Sequence, residues 1–228
     1  MKIGGLKKFT VTDYPGKISC IVFALGCNFR CPFCHNSHLV ECKAEKIPTE
    51  KILGFLEERS GQLEGVVVTG GEPFIQGEIF EFLEKIKQLD YSVKIDTNGS
   101  LPEDLKNAVE RSLVDYVAMD IKAPLDEYKK AAGIKVDRSK LEKSIDIIMN
   151  MENYEFRTTA VPGLIDEQSV EKIARRIDGA KNYFIQQFEP RNTLDPEYSK
   201  REKIPVKKLQ GFKKTAERFV RNCKLRNV

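Results

Sequence analysis

Three cysteines, Cys27, Cys31 and Cys34, stand at C-x3-C-x2-C spacing in residues 26–36, which read G-C-N-F-R-C-P-F-C-H-N. Thiolate sulfur is soft, and three such groups on one tight loop suit an iron–sulfur cluster, zinc or copper. A closed iron–sulfur cluster takes four protein ligands and this loop supplies three, so a cluster held here keeps one iron open to a group that is not protein. Zinc sites more often pair two C-x2-C hooks, and the chain has no second one. A partial zinc knuckle completed by His35, His38 or Cys42 is the plainer alternative.

Four further polar clusters could do chemistry. Thr69-Gly70-Gly71-Glu72-Pro73 combines two glycines, which let a ligand approach the backbone, with a carboxylate and a rigid Pro. Alone it reads equally as a tight turn. Asp96-Thr97-Asn98-Gly99 places a carboxylate before an Asn-Gly turn signal. Met119-Asp120-Ile121-Lys122 sets Asp120 and Lys122 two apart, so they share one face of a strand; a simple ion pair is the bland reading. Arg157, Thr159 and Val161 share a face in the same way, with Arg157 either holding a ligand carboxylate or paired with Glu155 or Glu167.

Each cluster follows an apolar or β-branched run that reads as a strand: 18–25, 66–69, 92–96, 116–121 and 156–161, with a sixth strand at 183–188 carrying Gln186, Gln187 and Phe188. Amphipathic helical stretches alternate with them at about 49–59, 78–89, from Pro102 onward, 139–151, 170–177 and 206–220. Six strand–helix units imply an α/β protein with a parallel sheet, because each crossover returns to begin another parallel strand. The motifs then collect at the carboxyl ends of the strands, where α/β folds place their sites. Periodicity alone allows a partial (β/α)6 barrel or an open doubly wound sheet. The chain reads as a single domain over 1–228.

Composition narrows the class. At 228 residues with 41% hydrophobic and 32% charged residues, the chain can bury one sizeable core and is not disordered. No window reaches the ~18 apolar residues of a membrane span, and residues 1–10 lack the apolar stretch of a signal peptide, so the cytoplasm is the expected location. Three of the six cysteines crowd into the loop, which favours metal binding over disulfides; Cys20, Cys42 and Cys223 carry no pattern. From Lys200 to Val228 there are 11 Lys and Arg against 2 Glu. This basic C-terminal helix, at about 205–222, reads as a solvated face, and without interleaved aromatics nucleic-acid binding is not expected.

The pattern C-x3-C-x-aromatic-C at Cys27, Cys31, Phe33 and Cys34 resembles the signature of the radical SAM enzymes. The resemblance implies a [4Fe-4S] cluster on the three cysteines, S-adenosylmethionine chelated at the open iron, Phe33 against the adenine, and a partial (β/α)6 TIM-like barrel. It assigns Gly70, Gly71 and Glu72 to the neighbourhood of the ligand's amino group. Asp96, Asn98, Asp120, Lys122, Arg157 and Gln187 become further cofactor contacts. Taken in order, Asp13-Tyr14-Pro15-Gly16, the cysteine loop, G-G-E-P, D-T-N-G, M-D-I-K and T-A-V-P-G are similar to the activating enzymes of glycyl-radical enzymes over about residues 10–190. They most resemble the branch that activates anaerobic ribonucleoside-triphosphate reductase, with pyruvate formate-lyase activators as near relatives. A monovalent cation on Asp96, Thr97, the carbonyl of Ala118 and Asp120 is implied by the latter.

The implied reaction is reductive cleavage of S-adenosylmethionine to a 5′-deoxyadenosyl radical, which takes hydrogen from a glycine of a partner enzyme. The electron comes from a low-potential donor of flavodoxin or ferredoxin type, and no side chain is required as acid or base. The competing readings are activation of pyruvate formate-lyase or another glycyl-radical enzyme, a radical SAM enzyme acting on a small molecule such as a modified base, and a non-enzymatic zinc module.

Overall fold

A computed structural model describes residues 1–228. Eight strands follow one another in the sheet in chain order: β1 Ile3–Thr10, β2 Ser19–Ala24, β3 Gly65–Gly70, β4 Ser92–Thr97, β5 Tyr116–Asp120, β6 Tyr154–Ala160, β7 Tyr183–Gln187 and β8 Cys223–Arg226. The helices are α1 Ser37–Val40, α2 Thr49–Glu58, α3 Ile79–Gln88, α4 Pro102–Glu110, α5 Tyr128–Ala132, α6 Arg138–Met149, α7 Glu167–Arg176, α8 Pro196–Ser199 and α9 Val206–Ala216. The six expected strand–helix units are present in an α/β fold, the strands within two residues of the expected bounds, while α7 begins three residues before residue 170 and α9 ends four residues before residue 220.

Two strands were not expected. β1 runs antiparallel on β2, with Ile3 opposite Ala24 and Thr10 opposite Ser19. Its sequence, I-G-G-L-K-K-F-T, hides it, because two glycines and two lysines break the alternation. Gly4 is required there: a Cβ would lie 2.5 Å from Leu25 Cδ2 and 2.8 Å from Leu39 Cδ2. β8 is only four residues, C-K-L-R, and pairs parallel to β7. The C-terminal helix accordingly stops at Ala216 rather than near residue 222, and a turn leads into β8.

The chain divides into two compact units. The first comprises Met1–Asn28, His38–Thr97 and Leu101–Val117; the second comprises Phe29–Ser37, Asn98–Ser100 and Ala118–Val228. In the first, β2, β3 and β4 are parallel and in step, Ala24 beside Gly70 and Val68 beside Ile95, so their carboxyl ends form one edge. One face of this sheet packs Tyr14, Ile21, Val67 and Tyr116 together, with Phe23 against them. The β-branched run Val66–Val68 is fully buried, as a strand covered on both faces must be.

In the second unit β6, β7 and β8 are parallel, Thr158 beside Ile185 and Ile185 beside Leu225. Ile121 N–H donates to the Arg157 carbonyl at 2.8 Å, carrying the end of β5 alongside β6. Caps fix the helix starts: Asp137 accepts Ser139 N–H at 3.0 Å to begin α6, and Asp166 accepts Ser169 N–H at 2.8 Å to begin α7. Glu167 of α7 accepts the Thr215 hydroxyl of α9 at 2.7 Å. No helix is long and apolar enough to cross a membrane.

Candidate active site

Residues of the first unit that could face a ligand sit on the carboxyl edge of β2, β3 and β4. Gly26, with φ of +84°, turns the chain out of β2 immediately before Cys27. The G-G-E segment is stitched to this turn: Gly71 N–H donates to the Ala24 carbonyl and Glu72 N–H to the Gly26 carbonyl, both at 2.9 Å. The approach is so close that a Cβ on Gly71 would lie 1.7 Å from the Gly26 carbonyl oxygen. The second glycine of the motif is therefore fixed by backbone contact with the loop that presents Cys27.

Glu72 is fully buried, and its carboxylate accepts Phe74 N–H at 3.2 Å and the Thr97 hydroxyl at 2.9 Å. That carboxylate ties the turn after β3 to the end of β4. Asp96, on β4, meets a residue not singled out in the sequence. Lys94 lies two positions earlier on the same face, is 2% exposed, and puts its ammonium 2.5 Å from Asp96 Oδ1 and 5.9 Å from the Tyr116 ring centroid.

The second unit holds the other residues. Cys31 and Cys34 close a turn in which Cys34 N–H donates to the Cys31 carbonyl at 3.0 Å. The turn is pinned from outside: Leu194 N–H to the Cys34 carbonyl at 3.0 Å, Asp195 N–H to the Pro32 carbonyl at 2.9 Å, and Arg30 N–H to the Ala132 carbonyl at 2.8 Å. Gly133 allows the last contact, since a Cβ there would meet the Arg30 carbonyl oxygen at 2.0 Å. Phe33 packs against Tyr198 with centroids 6.4 Å apart. His35 stacks on Phe188, and its Nε2 lies 2.6 Å from the Glu189 carbonyl, an engagement that competes with metal ligation through that nitrogen.

Charges form a ladder on one face of this unit. Arg226, from β8, grips the Glu155 carboxylate with both guanidinium ends, at 2.8 and 2.9 Å. Glu155 is 1% exposed and lies 3.9 Å from Arg157 Nη1, while Arg157 Nε donates to Asp120 Oδ1 at 2.9 Å. Lys122 Nζ reaches Asp120 Oδ2 at 3.4 Å. Tyr128 steadies this end, donating its hydroxyl to the Asp120 carbonyl and accepting Lys122 N–H, both at 3.2 Å. Burial opposes the charge on Lys122, but Asp120, Cys31, Tyr128 and Cys34 outweigh it and hold its pKa above the usual lysine value. Burial raises the Cys34 thiol, against the Asn36 backbone and the Lys122 ammonium, which lower it.

The Asp120–Lys122 ion pair, the plainer alternative for these two residues, is thus present, and Arg157 joins it. Asn98 makes the anticipated turn, accepting Ser100 N–H at 2.9 Å before Gly99 at φ +75°. Gln187 donates its amide nitrogen to the Ile204 carbonyl at 2.7 Å, while its Oε1 is buried without a hydrogen-bond partner. Ala118 is a buried residue of β5. Lys94, Tyr128 and Arg226 had no motif to mark them, the only signal being a lysine on a strand that otherwise reads as buried, while Glu155 had entered only as an alternative partner of Arg157, from which it lies 3.9 Å.

The donor set fits an iron–sulfur cluster with an open iron. None of Cys27, Cys31 and Cys34 is in a disulfide, the Lys122 charge acts on Cys31 and Cys34, and the backbone of Gly70 and Gly71 stands at the same strand ends as Cys27.

Comparison with known proteins agrees. The profile of the radical SAM superfamily matches residues 21–178. A Methanocaldococcus jannaschii protein, provisionally named a glycyl-radical enzyme activating enzyme, is 32% identical over 232 residues, covering 99% of this chain and 96% of that one. The pyruvate formate-lyase-activating enzyme of Clostridium pasteurianum is 29% identical over 208 residues, covering 85% of this chain and 83% of that one. The fold is shared with Streptococcus suis SuiB bound to S-adenosylmethionine, at a TM-score of 0.66 and 15% identity, over 91% of this chain and 50% of that one. The chain belongs to the radical SAM superfamily, enzymes that work with a [4Fe-4S] cluster and S-adenosylmethionine.

Proposed function

We propose that this chain activates a glycyl-radical enzyme, with anaerobic ribonucleotide reductase as the first candidate partner. The observation that carries the reading is the end-to-end match to relatives named for that activity, made by a chain in which the cysteine loop and each polar motif fall at strand ends. The cluster and S-adenosylmethionine, when bound, supply the 5′-deoxyadenosyl radical that removes hydrogen from a glycine Cα of the partner.

The protein's own residues hold and orient. Cys27, Cys31 and Cys34 ligate the cluster. The pinned turn keeps Cys31 and Cys34 in place, and the Gly26–Glu72 hydrogen bond fixes the loop before Cys27. Arg157 and Lys122, held by Asp120, present positive charge to the methionyl carboxylate. Phe33, the backbone of Gly70 and Gly71, Asn98 and the β7 end at Gln187 line the remainder of the ligand. The electron comes from a low-potential flavodoxin or ferredoxin in the cytoplasm. The exposed lysines of α9, Lys207, Lys208 and Lys214, offer a basic face to an acidic partner surface.

The test is anaerobic reconstitution with iron and sulfide, reduction, addition of S-adenosylmethionine, and quantification of 5′-deoxyadenosine with a Cys31→Ala control. Incubation with the reductase encoded in the same genome should then yield a glycyl-radical EPR doublet. Cleavage without a doublet on any glycyl-radical partner would overturn the assignment of partner. Absence of cleavage by a fully loaded cluster would overturn the chemistry.

A further inference from the structure

We propose that Lys94 is a built-in cation, supplying at Asp96 the positive charge that family resemblance gives to a bound alkali ion, so that S-adenosylmethionine binding here needs none. The proposal rests on the reading of this site as one that binds S-adenosylmethionine.

Lys94 is in the middle of a strand, beside Val67 of β3, where its neighbours on the same face are Tyr14, Ile21, Val67 and Tyr116. A lysine 2% exposed in such company is expensive unless its ammonium is paired. An apolar residue would serve the packing better, as the surrounding positions show. Buried ion pairs add little to stability against apolar replacements, so the presence of one points to the site rather than the fold. Its partner is Asp96, the carboxylate that the motif assigns to the site, held at 2.5 Å.

The side-chain donors expected for an alkali ion are engaged with protein groups. Asp96 accepts from Lys94, and a second cation on that carboxylate would sit against the ammonium and be repelled by it. The hydroxyl of Thr97 gives its proton to Glu72 at 2.9 Å. Within the other unit Asp120 meets Arg157 at one carboxylate oxygen and Lys122 at the other, at 2.9 and 3.4 Å. These residues do not fit an added monovalent cation. In each unit the carboxylate charge is neutralised by the chain itself.

An ammonium suits this task better than a guanidinium. It is a compact point charge on a flexible stem, close to potassium in size, and it needs no planar fork of acceptors. The Tyr116 ring beneath it, 5.9 Å from the nitrogen, adds a weakly attractive π face where water would otherwise be needed.

The test uses the anaerobically reconstituted protein and equilibrium dialysis of labelled S-adenosylmethionine, in potassium chloride and in tetramethylammonium chloride at equal ionic strength. The wild type should bind with the same Kd, within two-fold, in both salts, and should retain no stoichiometric thallium(I) in a parallel dialysis. Lys94→Met should bind at least ten-fold more weakly in tetramethylammonium and recover in potassium. A ten-fold loss by the wild type in tetramethylammonium, or one thallium per chain, overturns the proposal. So does a Lys94→Met protein as tight as wild type in both salts. The wild-type comparison stands even if the variant does not fold. No binding in either salt, with no 5′-deoxyadenosine formed, overturns the reading of the site and the proposal with it.

Discussion

Replacing Gly71 by Ala tests the claim that the G-G-E segment is a spacer set by backbone contact. The Ala Cβ would stand 1.7 Å from the Gly26 carbonyl oxygen and 2.5 Å from its carbon. Side-chain carbons do not approach closer than about 3.0 Å, so one backbone must retreat by roughly 1.3 Å. Retreat breaks the 2.9 Å bond from Glu72 N–H to that carbonyl, and Gly26 is buried. Losing the bond and stranding its partners costs about 2–4 kcal/mol, which in a chain of this size lowers Tm by roughly 4–16 °C. The carbonyl precedes Cys27, so the same movement shifts a ligand of the proposed cluster; a displacement of ~1 Å can lower turnover about a hundred-fold. The assay is thermal denaturation of the apoprotein, followed by iron content and 5′-deoxyadenosine yield after reconstitution. Gly77→Ala is the control, since a Cβ there meets nothing within 4 Å, and it should match wild type in all three. A Gly71→Ala protein that melts with wild type and cleaves S-adenosylmethionine at the wild-type rate would refute the reasoning.

The remaining expectations span ligand binding, charge pairing and helix energetics. Arg157→Met, which removes the guanidinium 2.9 Å from Asp120, should weaken S-adenosylmethionine binding by about 10- to 100-fold, the worth of a charge-assisted hydrogen bond; unchanged affinity in dialysis would exclude Arg157 from the carboxylate site. Arg226→Met leaves Glu155 buried without its bidentate partner and should destabilise by about 3 kcal/mol, while the double variant with Glu155→Met should recover most of the loss in urea melts. Gly54→Ala, inside α2 with open space around the new methyl, should stabilise by about 0.5–1 kcal/mol and leave activity alone. Asp166→Ala should cost about 1 kcal/mol at neutral pH through loss of the α7 cap. The Ser169 N–H and then its hydroxyl hold the Asp166 carboxyl below the usual range, so this contribution is present above the unfolded-state value and is lost as pH falls through the lowered one. The gap between Asp166→Ala and wild type should therefore close on acidification, and a gap that widens would refute the cap.

What the sequence revealed depended on whether a residue's role was local. The six strand–helix units were legible because β-branched runs such as Val66–Val68 and helical spacings such as Ile79, Leu83 and Ile86 repeat within one element. Cys27, Cys31 and Cys34 were legible because thiol spacing on a loop has few meanings. β1 and β8 were not, since each is stabilised by a neighbour: β1 by pairing on β2, and β8, four residues long, by pairing on β7. Lys94 and Arg226 were invisible for a related reason. A lysine in a strand or an arginine three residues from the end reads as solvent-facing, and only the fold places Lys94 over Tyr116 and brings Arg226 to Glu155, 71 positions away.

The charge ladder of the second unit gives the four-residue strand β8 a part in setting Arg157 and Lys122. Without Arg226, Glu155 would be a buried carboxylate with Arg157 3.9 Å away, and the guanidinium would be drawn between two acids. With Arg226 in its bidentate grip, Glu155 is satisfied, and Arg157 can turn its Nε to Asp120. Asp120 in turn keeps Lys122 charged against the burial that opposes it. Three cations, Arg226, Arg157 and Lys122, then stand beside two carboxylates, Glu155 and Asp120; in the proposed function Arg157 and Lys122 meet the ligand carboxylate. In the first unit Lys94 and Asp96 cancel. The two arrangements differ in charge: a neutral pair in the first unit, and in the second a ladder whose cations would meet the ligand in the proposed function.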